Sequence, residues 1–185
     1  NDAVKNLKSS LADARMKADT DMLTGLSNRR AFERALGAAC ALAEKSKEKV
    51  ALAICDVDHF KQFNDRFGHI TGDRVLKLVG EILESHCGTH AQVCRFGGEE
   101  FVILFTGIST EDAYDMVEAA KNDLGSRNII KRETREPVGK ISFSAGIADF
   151  VRAGSAEALL HQADLALYEA KANGRDCVFG ATVRP

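Results

Sequence analysis

The run Val50-Ala51-Leu52-Ala53-Ile54-Cys55 constrains the fold more than any other stretch of this chain. It is apolar without alternation and is bounded by Lys49 and Asp56. A strand with one solvated face alternates apolar and polar side chains, so a continuous run predicts a strand that is buried on both faces. The chain must therefore place helices on both sides of a sheet.

Apolar residues at helical spacing supply those covering layers. The pattern predicts helices over about Arg30–Lys45 and Asp73–Ser85, and over residues 113–124 and 159–170. Further strands are expected over Lys140–Ala148 and Cys177–Phe179.

An antiparallel hairpin is expected in the middle of the chain. Two β-type runs, 92–96 and 99–105, are separated by Gly97-Gly98, and a two-residue hairpin turn needs a positive φ that glycine adopts readily. Together with the interleaved helices, this predicts an α+β fold: a mixed central β-sheet with an antiparallel hairpin, flanked by helices.

Residues 1–19 are expected to form an N-terminal leader helix, followed by one domain over residues 20–185. The leader carries apolar residues at heptad spacing, namely Val4, Leu7, Leu11, Ala14 and Ala18. Two interpretations stay open: a frayed helix, or the stub of a parallel coiled coil that leads to an upstream sensory or linker domain. Because the chain begins with Asn1, we expect it to be a piece of a longer protein.

Charge and cysteine usage exclude several functional classes. The 185 residues contain 25 Lys and Arg against 27 Asp and Glu, a balance that argues against a binder of nucleic-acid polymers but leaves a small nucleotide as a ligand. The five cysteines are an odd number without a CxxC pair, which is typical of reduced, buried thiols and of a cytoplasmic location. No apolar run reaches the ~20 residues of a membrane span, although the full-length parent could be membrane-anchored.

Three acidic residues form the first candidate site. Asp56 ends the buried strand, and Glu99 and Glu100 follow the two glycines. If the hairpin pairs beside the buried strand, these carboxylates come together, and oxygen ligands without His or Cys favour Mg²⁺ or Mn²⁺. Such a site performs phosphoryl or nucleotidyl transfer. The alternative is that each acid is simply solvated at a strand end.

A second and a third candidate site concern a nucleotide. Asn64 and Asp73 could read the N1–H and amine edge of guanine, but the residue types alone favour the alternative that Asp73 caps a helix and Asn64 occupies a turn. Lys171 and Arg175 could bind the negative charges of a triphosphate, or interact with the dipole at the C-terminus of a helix. The chain has no Walker or Rossmann phosphate loop, no HExxH and no GxSxG.

These stretches, over about Asp19 to Phe179, closely resemble the GGDEF domain of diguanylate cyclases, here with the GGEEF variant of the signature. The matching segments are Asp21–Arg30, Asp56–Lys61 with Asn64-Asp65, Phe67–His69 with Gly72-Asp73, Arg95–Phe101, Ser144–Ala148, Ala163-Asp164, Ala166–Tyr168, Ala170-Lys171 and Gly174-Arg175.

The resemblance implies an enzyme that condenses two GTP molecules into cyclic di-GMP and releases two pyrophosphates. It implies a homodimer that presents one GTP per protomer, and it assigns residue roles. Asp56, the Val57 carbonyl and Glu99 would hold Mg²⁺, with Mn²⁺ as the other candidate, and Glu100 or Glu99 would accept the 3′-hydroxyl proton. Asn64 and Asp73 would read guanine with His69 close by, and the cations that would neutralise phosphate charge are Lys61, Lys171 and Arg175.

Two departures from the family pattern stand out. The RxxD product-binding motif is replaced by Gly88-Thr89-His90-Ala91, so we expect no feedback inhibition through that primary site. Asp176 stands where the family more often has Asn. Two other functions remain open: a catalytically silent module that binds GTP or a protein partner, and a cyclase for adenine-containing dinucleotides, which the presence of Asp73 disfavours.

Overall fold

The structure is a computed structural model of the chain, and it describes residues 4, 17–130 and 136–180. The strands are β1 (Ser27–Asn28), β2 (Val50–Val57), β3 (Ala91–Gly97), β4 (Glu100–Thr106), β5 (Phe143–Asp149) and β6 (Val178–Gly180). The helices that carry the argument are α1 (Arg29–Ser46), α2 (Phe60–Phe67), α3 (His69–Cys87), α4 (Thr110–Ser126), α5 (Phe150–Ala153) and α6 (Ala156–Ala172).

The strands form one mixed sheet in the order β1-β3-β4-β2-β5-β6. The outer pairs β1–β3 and β5–β6 are parallel, and the pairs between them are antiparallel. The predicted α+β fold, a mixed sheet with an antiparallel hairpin between helices, is therefore confirmed. Strand β1 has only two residues and lies in a stretch of turn-forming residues, so the sequence pattern did not predict it.

Strand β2 is central, and its side chains alternate between two apolar layers, as a pleated strand requires. Val50, Leu52 and Ile54 face the layer that contains α1 and α6. The alternate residues Ala51, Ala53, Cys55 and Val57 face the layer that contains α3 and α4. This two-sided burial explains the continuous apolar run, and it assigns Asp56 by parity to the α6 side.

The capping alternatives for the two guanine candidates are wrong. Helix α3 begins at His69 rather than Asp73, because Gly68 at φ 82° supplies the reversal before it and no side chain caps the helix. Asp73 therefore lies in the second turn. Asn64 lies inside α2 rather than in a turn.

The hairpin is confirmed, but its turn is shifted by one residue from the expected position. β3 ends at Gly97 and β4 begins at Glu100, so the turn consists of Gly98 and Glu99. Gly98 has the positive φ of 53°, and the register shifts between Arg95 and Gly97. Glu99 therefore lies in the turn, not in the strand.

The leader seam lies outside the described residues apart from Val4 and Ala18, so its coiled-coil interpretation stays a prediction. Of the five free cysteines four are buried, and Cys177 is half-buried. Among the described residues, no helix has the length and apolarity that crossing a membrane would need.

Candidate active site

The acidic residues of β2 and of the hairpin lie together at one end of the central strands. In the β2–β4 register Asp56 is directly opposite Glu100. The Val57 amide donates to the Glu99 carbonyl at 3.2 Å, which fastens the hairpin turn to the end of β2. The Lys171 ammonium lies 2.9 Å from Asp56 Oδ1. Residues from distant parts of the chain thus meet in one acidic group, Asp56, Glu99 and Glu100, with the cation Lys171 beside it.

The electrostatics of this group show in the pKa of Glu99, which is raised. Burial and then the negative charge of Asp56 raise the pKa of Glu99, while Lys171 acts to lower it and Glu100 adds to the rise. A raised pKa means that the site disfavours the accumulated negative charge. A cation bound between the carboxylates would relieve that repulsion.

The donor set fits a hard divalent cation. No cluster of three His, Cys, Asp or Glu side chains arranged to hold a metal occurs within residues 17–130 and 136–180. The oxygen atoms at this place that could hold an ion are those of the Asp56 and Glu99 carboxylates and the Val57 carbonyl. Mg²⁺ is usually bound in this way, through one or two carboxylates together with substrate phosphates.

Arg95 braces the hairpin turn from behind. Its Nε and one guanidinium nitrogen donate to the Gly98 carbonyl at 3.1 and 2.7 Å. Its other nitrogen contacts the Asp21 carboxylate at 3.3 Å, and Asp21 also accepts from the Thr24 amide and hydroxyl. Burial acts to raise the pKa of Asp21, but the Thr24 hydrogen bonds and Arg95 bring it below its usual value. The turn is thereby connected to the segment that follows the leader.

A second part of the site offers hydrogen-bond acceptors. The Oδ1 atom of Asn64 is buried and has no hydrogen-bond partner among the described residues. It lies directly over Gly72, where an added Cβ would be 1.9 Å from it. Asp73 follows Gly72 and is exposed. An unpaired buried acceptor costs free energy unless a ligand donates to it, so this atom indicates a donor-bearing ligand.

The remaining predicted site residues lie on neighbouring elements. Lys61 is in the first turn of α2, His69 is the first residue of α3, and Arg175 follows α6; all three are exposed. Lys171 lies in the last turn of α6 and is half-buried. Within the described part of the chain, no ion pair joins Lys61 or Arg175 to the acidic group.

Asp58 is a residue of this region to which the sequence reasoning gave no role. Its carboxylate accepts from the hydroxyls of Ser142 and Ser144, both at 2.7 Å, and from the amide of Asp176 at 3.0 Å. The only signal in the sequence is a second acid two positions after Asp56. Its partners lie 84 or more positions away, beyond the reach of any local pattern.

The sequence as a whole matches one protein family. The model of the family described as "Diguanylate cyclase, GGDEF domain" matches residues 18–177. The chain is 40% identical over 172 residues to the diguanylate cyclase DgcP of Pseudomonas aeruginosa, covering 93% of this chain and 25% of that protein. It is 34% identical over 175 residues to the diguanylate cyclase VdcA of Vibrio cholerae, covering 95% of this chain and 50% of that protein.

The fold matches a solved structure of the same family. The coiled coil and GGDEF domain of DgcB from Caulobacter crescentus, in complex with c-di-GMP, superimposes with a TM-score of 0.92 at 36% identity, covering 97% of this chain and 94% of that one. The chain spans a quarter to a half of the length of the two curated relatives. By the match over residues 18–177, the chain belongs to the GGDEF domain family of diguanylate cyclases.

Proposed function

We propose that this domain condenses two GTP molecules into cyclic di-GMP and releases two pyrophosphates. The relatives that cover most of the chain are named diguanylate cyclases, which supports the assignment. The observation that carries it is the meeting of Asp56, Glu99 and Glu100 at the ends of β2 and β4, with Lys171 beside them. Neither fold alone nor a family name requires these acids to be retained and brought together.

Guanine is the base that the second part of the site accepts best. Asn64 Oδ1 is an acceptor without a partner, and the exposed Asp73 carboxylate accepts two donors. Guanine presents N1–H and its amine as donors on one edge. Adenine has an acceptor at N1, which would face the carboxylate without a hydrogen bond, so adenine gains less from this contact than guanine does. His69 lies near the start of the same helix and would flank the base.

The metal site would serve the phosphates. Asp56, Glu99 and the Val57 carbonyl are the atoms that would hold Mg²⁺, or Mn²⁺ in its place. When bound, such an ion polarises a phosphate and helps to ionise the attacking hydroxyl.

The protein side chains carry the remaining work of the reaction. Glu100, or Glu99, accepts the proton of the 3′-hydroxyl as that oxygen attacks the α-phosphorus of the other GTP. The bond from the α-phosphorus to the pyrophosphate then breaks, and repetition with the roles exchanged closes the ring. Lys61, Lys171 and Arg175 offset the charge on the phosphates as it builds up.

Two sites must face each other for this chemistry, which is why we propose a homodimer with one GTP per protomer. Glu100 is exposed and therefore accessible to a nucleotide that a second protomer presents. We propose further that residues 1–19 are the leader helix that orients the catalytic domain of residues 20–185 relative to an upstream sensory or linker domain. A cytoplasmic location fits the GTP substrate and the free cysteines.

Product analysis tests the proposal. The protein is incubated with Mg²⁺ and GTP, or with Mg²⁺ and ATP, and the products are separated by chromatography. We expect cyclic di-GMP from GTP and no cyclic product from ATP, with Glu100→Ala and Glu99→Ala each lowering the rate at least a hundredfold. A folded protein that binds GTP without turnover would instead indicate a silent binding module.

A further inference from the structure

The segment that carries Arg175 has an unusual backbone. Gly174, Arg175 and Asp176 have φ values of 107°, 65° and 51°, three positive values in a row. Two of these residues are not glycine, and residues other than glycine rarely adopt a backbone conformation with positive φ. Such a conformation persists only where the surroundings hold it in place.

Contacts from three other parts of the chain hold this segment. The Asp176 amide donates to the Asp58 carboxylate at 3.0 Å. The Lys121 ammonium on α4 donates to the Asp176 carbonyl at 3.1 Å, and Lys140, just before β5, pairs with the Asp176 carboxylate. The Asp58 and Lys121 contacts are the sheltered ones, because Asp58 is half-buried and the Lys121 side chain is 11% exposed, whereas that of Lys140 is 61% exposed.

Asp58 is itself fixed in one orientation. The hydroxyls of Ser142 and the fully buried Ser144 donate to its two oxygens at 2.7 Å, and its own amide donates to the Ser142 carbonyl at 2.9 Å. Together with the Asp176 amide, these two hydroxyls make three protein donors to the Asp58 carboxylate. This arrangement suits a structural acceptor, in contrast to Asp56, whose partner is the single cation Lys171.

We propose that Asp58 is a positioning residue that fixes the Gly174–Asp176 turn and so holds Arg175 in reach of the phosphates of bound GTP. The inference rests on the proposed function, since it takes the phosphate-binding role of Arg175 from there. It adds a residue that touches neither nucleotide nor metal but determines where a phosphate-binding cation lies.

If Asp58 positions Arg175, replacing Asp58 should weaken the binding of a nucleoside triphosphate more than that of a monophosphate. Asp58→Ala removes the acceptor for the Asp176 amide, so the turn that carries Arg175 is held less firmly, by Lys121, Lys140 and the bond from the Arg175 amide to the Ala170 carbonyl. Affinity for a non-hydrolysable GTP analogue should fall about tenfold, the loss expected for one charge-assisted hydrogen bond. Affinity for GMP should stay within twofold, because Asn64 and Asp73 are unaffected. Isothermal titration calorimetry in the presence of Mg²⁺ measures both values without requiring turnover.

Two variants separate positioning from other roles. Asp58→Asn keeps an acceptor oxygen for the Asp176 amide and a donor that Ser144 can accept, so it should bind the analogue almost as the parent does. If the negative charge of Asp58 were the functional property, Asn would be as damaging as Ala. Asp115→Ala, which removes an exposed acid of α4, is the matched control and should change neither affinity.

A double-variant cycle tests the connection to Arg175. If Asp58 acts through Arg175, then Asp58→Ala combined with Arg175→Ala should bind the analogue no more weakly than Arg175→Ala alone. Additive losses would overturn the proposal, and so would equal losses for GMP and the analogue. If Asp58→Ala does not fold, Ser144→Ala replaces it, because this variant removes one of the hydroxyls that orient Asp58. It should lower the affinity for the analogue, by less than Asp58→Ala would, and leave the affinity for GMP unchanged. Equal losses for GMP and the analogue in Ser144→Ala would also overturn the proposal.

The outcomes distinguish this inference from the proposed function. A parent protein that binds the analogue but does not make cyclic di-GMP contradicts the proposed function and leaves the Asp58 comparison measurable. A parent that turns over GTP while Asp58→Ala binds the analogue normally contradicts only the role of Asp58.

Discussion

Gly72 leaves room for the amide of Asn64, so its lack of a side chain is part of the proposed base-binding region. A Cβ at residue 72 would be 1.9 Å from Asn64 Oδ1 and 3.1 Å from the Phe60 ring. Gly72→Ala should therefore displace Asn64 and raise the KM for GTP about tenfold, the cost of one lost hydrogen bond to a buried acceptor. Steady-state kinetics with GTP measure this.

The matched control is Gly37→Ala in α1. It is also a helical glycine, but an added Cβ there meets nothing within 4 Å. Both variants should fold, since Ala is a better helix former than Gly. An unchanged KM in Gly72→Ala would remove Asn64 from the base-binding site.

The raised pKa of Glu99 provides a second prediction at this scale. Burial and the Asp56 charge raise it and Lys171 opposes the rise, so Asp56→Asn should lower the pKa of Glu99 and Lys171→Met should raise it. Carboxyl ¹³C shifts of the ligand-free protein, followed through a pH titration, report the change. Shifts in the same direction for both variants would contradict the described electrostatics.

The sign of the stability effect follows from the same shift. Because the folded-state pKa of Glu99 lies above the unfolded value, the folded state binds the proton more tightly. The stabilisation from this group is therefore present below the unfolded pKa and is lost as pH rises through the folded pKa. This sign applies to the metal-free protein, because a cation bound between the carboxylates would lower the pKa of Glu99.

Single residues of the site were partly accessible to sequence reasoning. Asp56, Glu99 and Glu100 were identified because acids that follow apolar strands interrupt a strong pattern, and the β2–β4 register brings Asp56 opposite Glu100. Asp58 was not given a role, because its partners come from residues 142–176 and no short-range pattern connects them.

At the scale of elements, helix α6 packs closely on strand β5 at Gly146. A Cβ at Gly146 would lie 2.1 Å from the Leu167 amide nitrogen and 2.2 Å from the Ala163 carbonyl oxygen. Backbone atoms of the helix thus occupy the space of a side chain. This approach determines the height of α6 above the sheet and with it the position of Lys171 beside Asp56.

Gly146→Ala should push α6 away from the sheet. Overpacking of this kind destabilises a domain by about 1–3 kcal/mol, and turnover should fall as well because Lys171 moves with the helix. Urea unfolding and initial rates measure the two effects, with Gly37→Ala as the control. A variant of parental stability would show that the described contact is looser than 2.1 Å implies.

The elements themselves followed from periodicity, whereas their ends did not. The two-sided burial of β2 was predicted from an apolar run, and the hairpin from two glycines. Helix α3 begins four residues before the expected position because Gly68 reverses the chain without a capping side chain. That geometry reversed the interpretation of Asp73, from a cap to a residue that faces solvent in the second turn.

At the scale of the whole molecule, the positions of the product-binding motif join two elements. Gly88 directly follows α3 and Ala91 begins β3, so the Arg and Asp of an RxxD motif are absent from this junction. Added cyclic di-GMP should therefore leave the initial rate within about twofold, at concentrations well above the product level reached. Strong non-competitive inhibition would show that a second product site operates.

The orientation of two protomers is the least predictable property from the sequence. The domain fold follows from local patterns and their packing, but the proposed pairing would depend on the leader, whose seam falls mainly on residues outside the described ranges.

The most direct test of the account is a crystal structure with Mn²⁺ and a non-hydrolysable GTP analogue. We predict an anomalous peak within coordination distance, about 2.2 Å, of the Asp56 and Glu99 carboxylates, with the guanine edge against Asn64 and Asp73. A nucleotide bound elsewhere, with no ion between residues 56 and 99, would contradict the central claim.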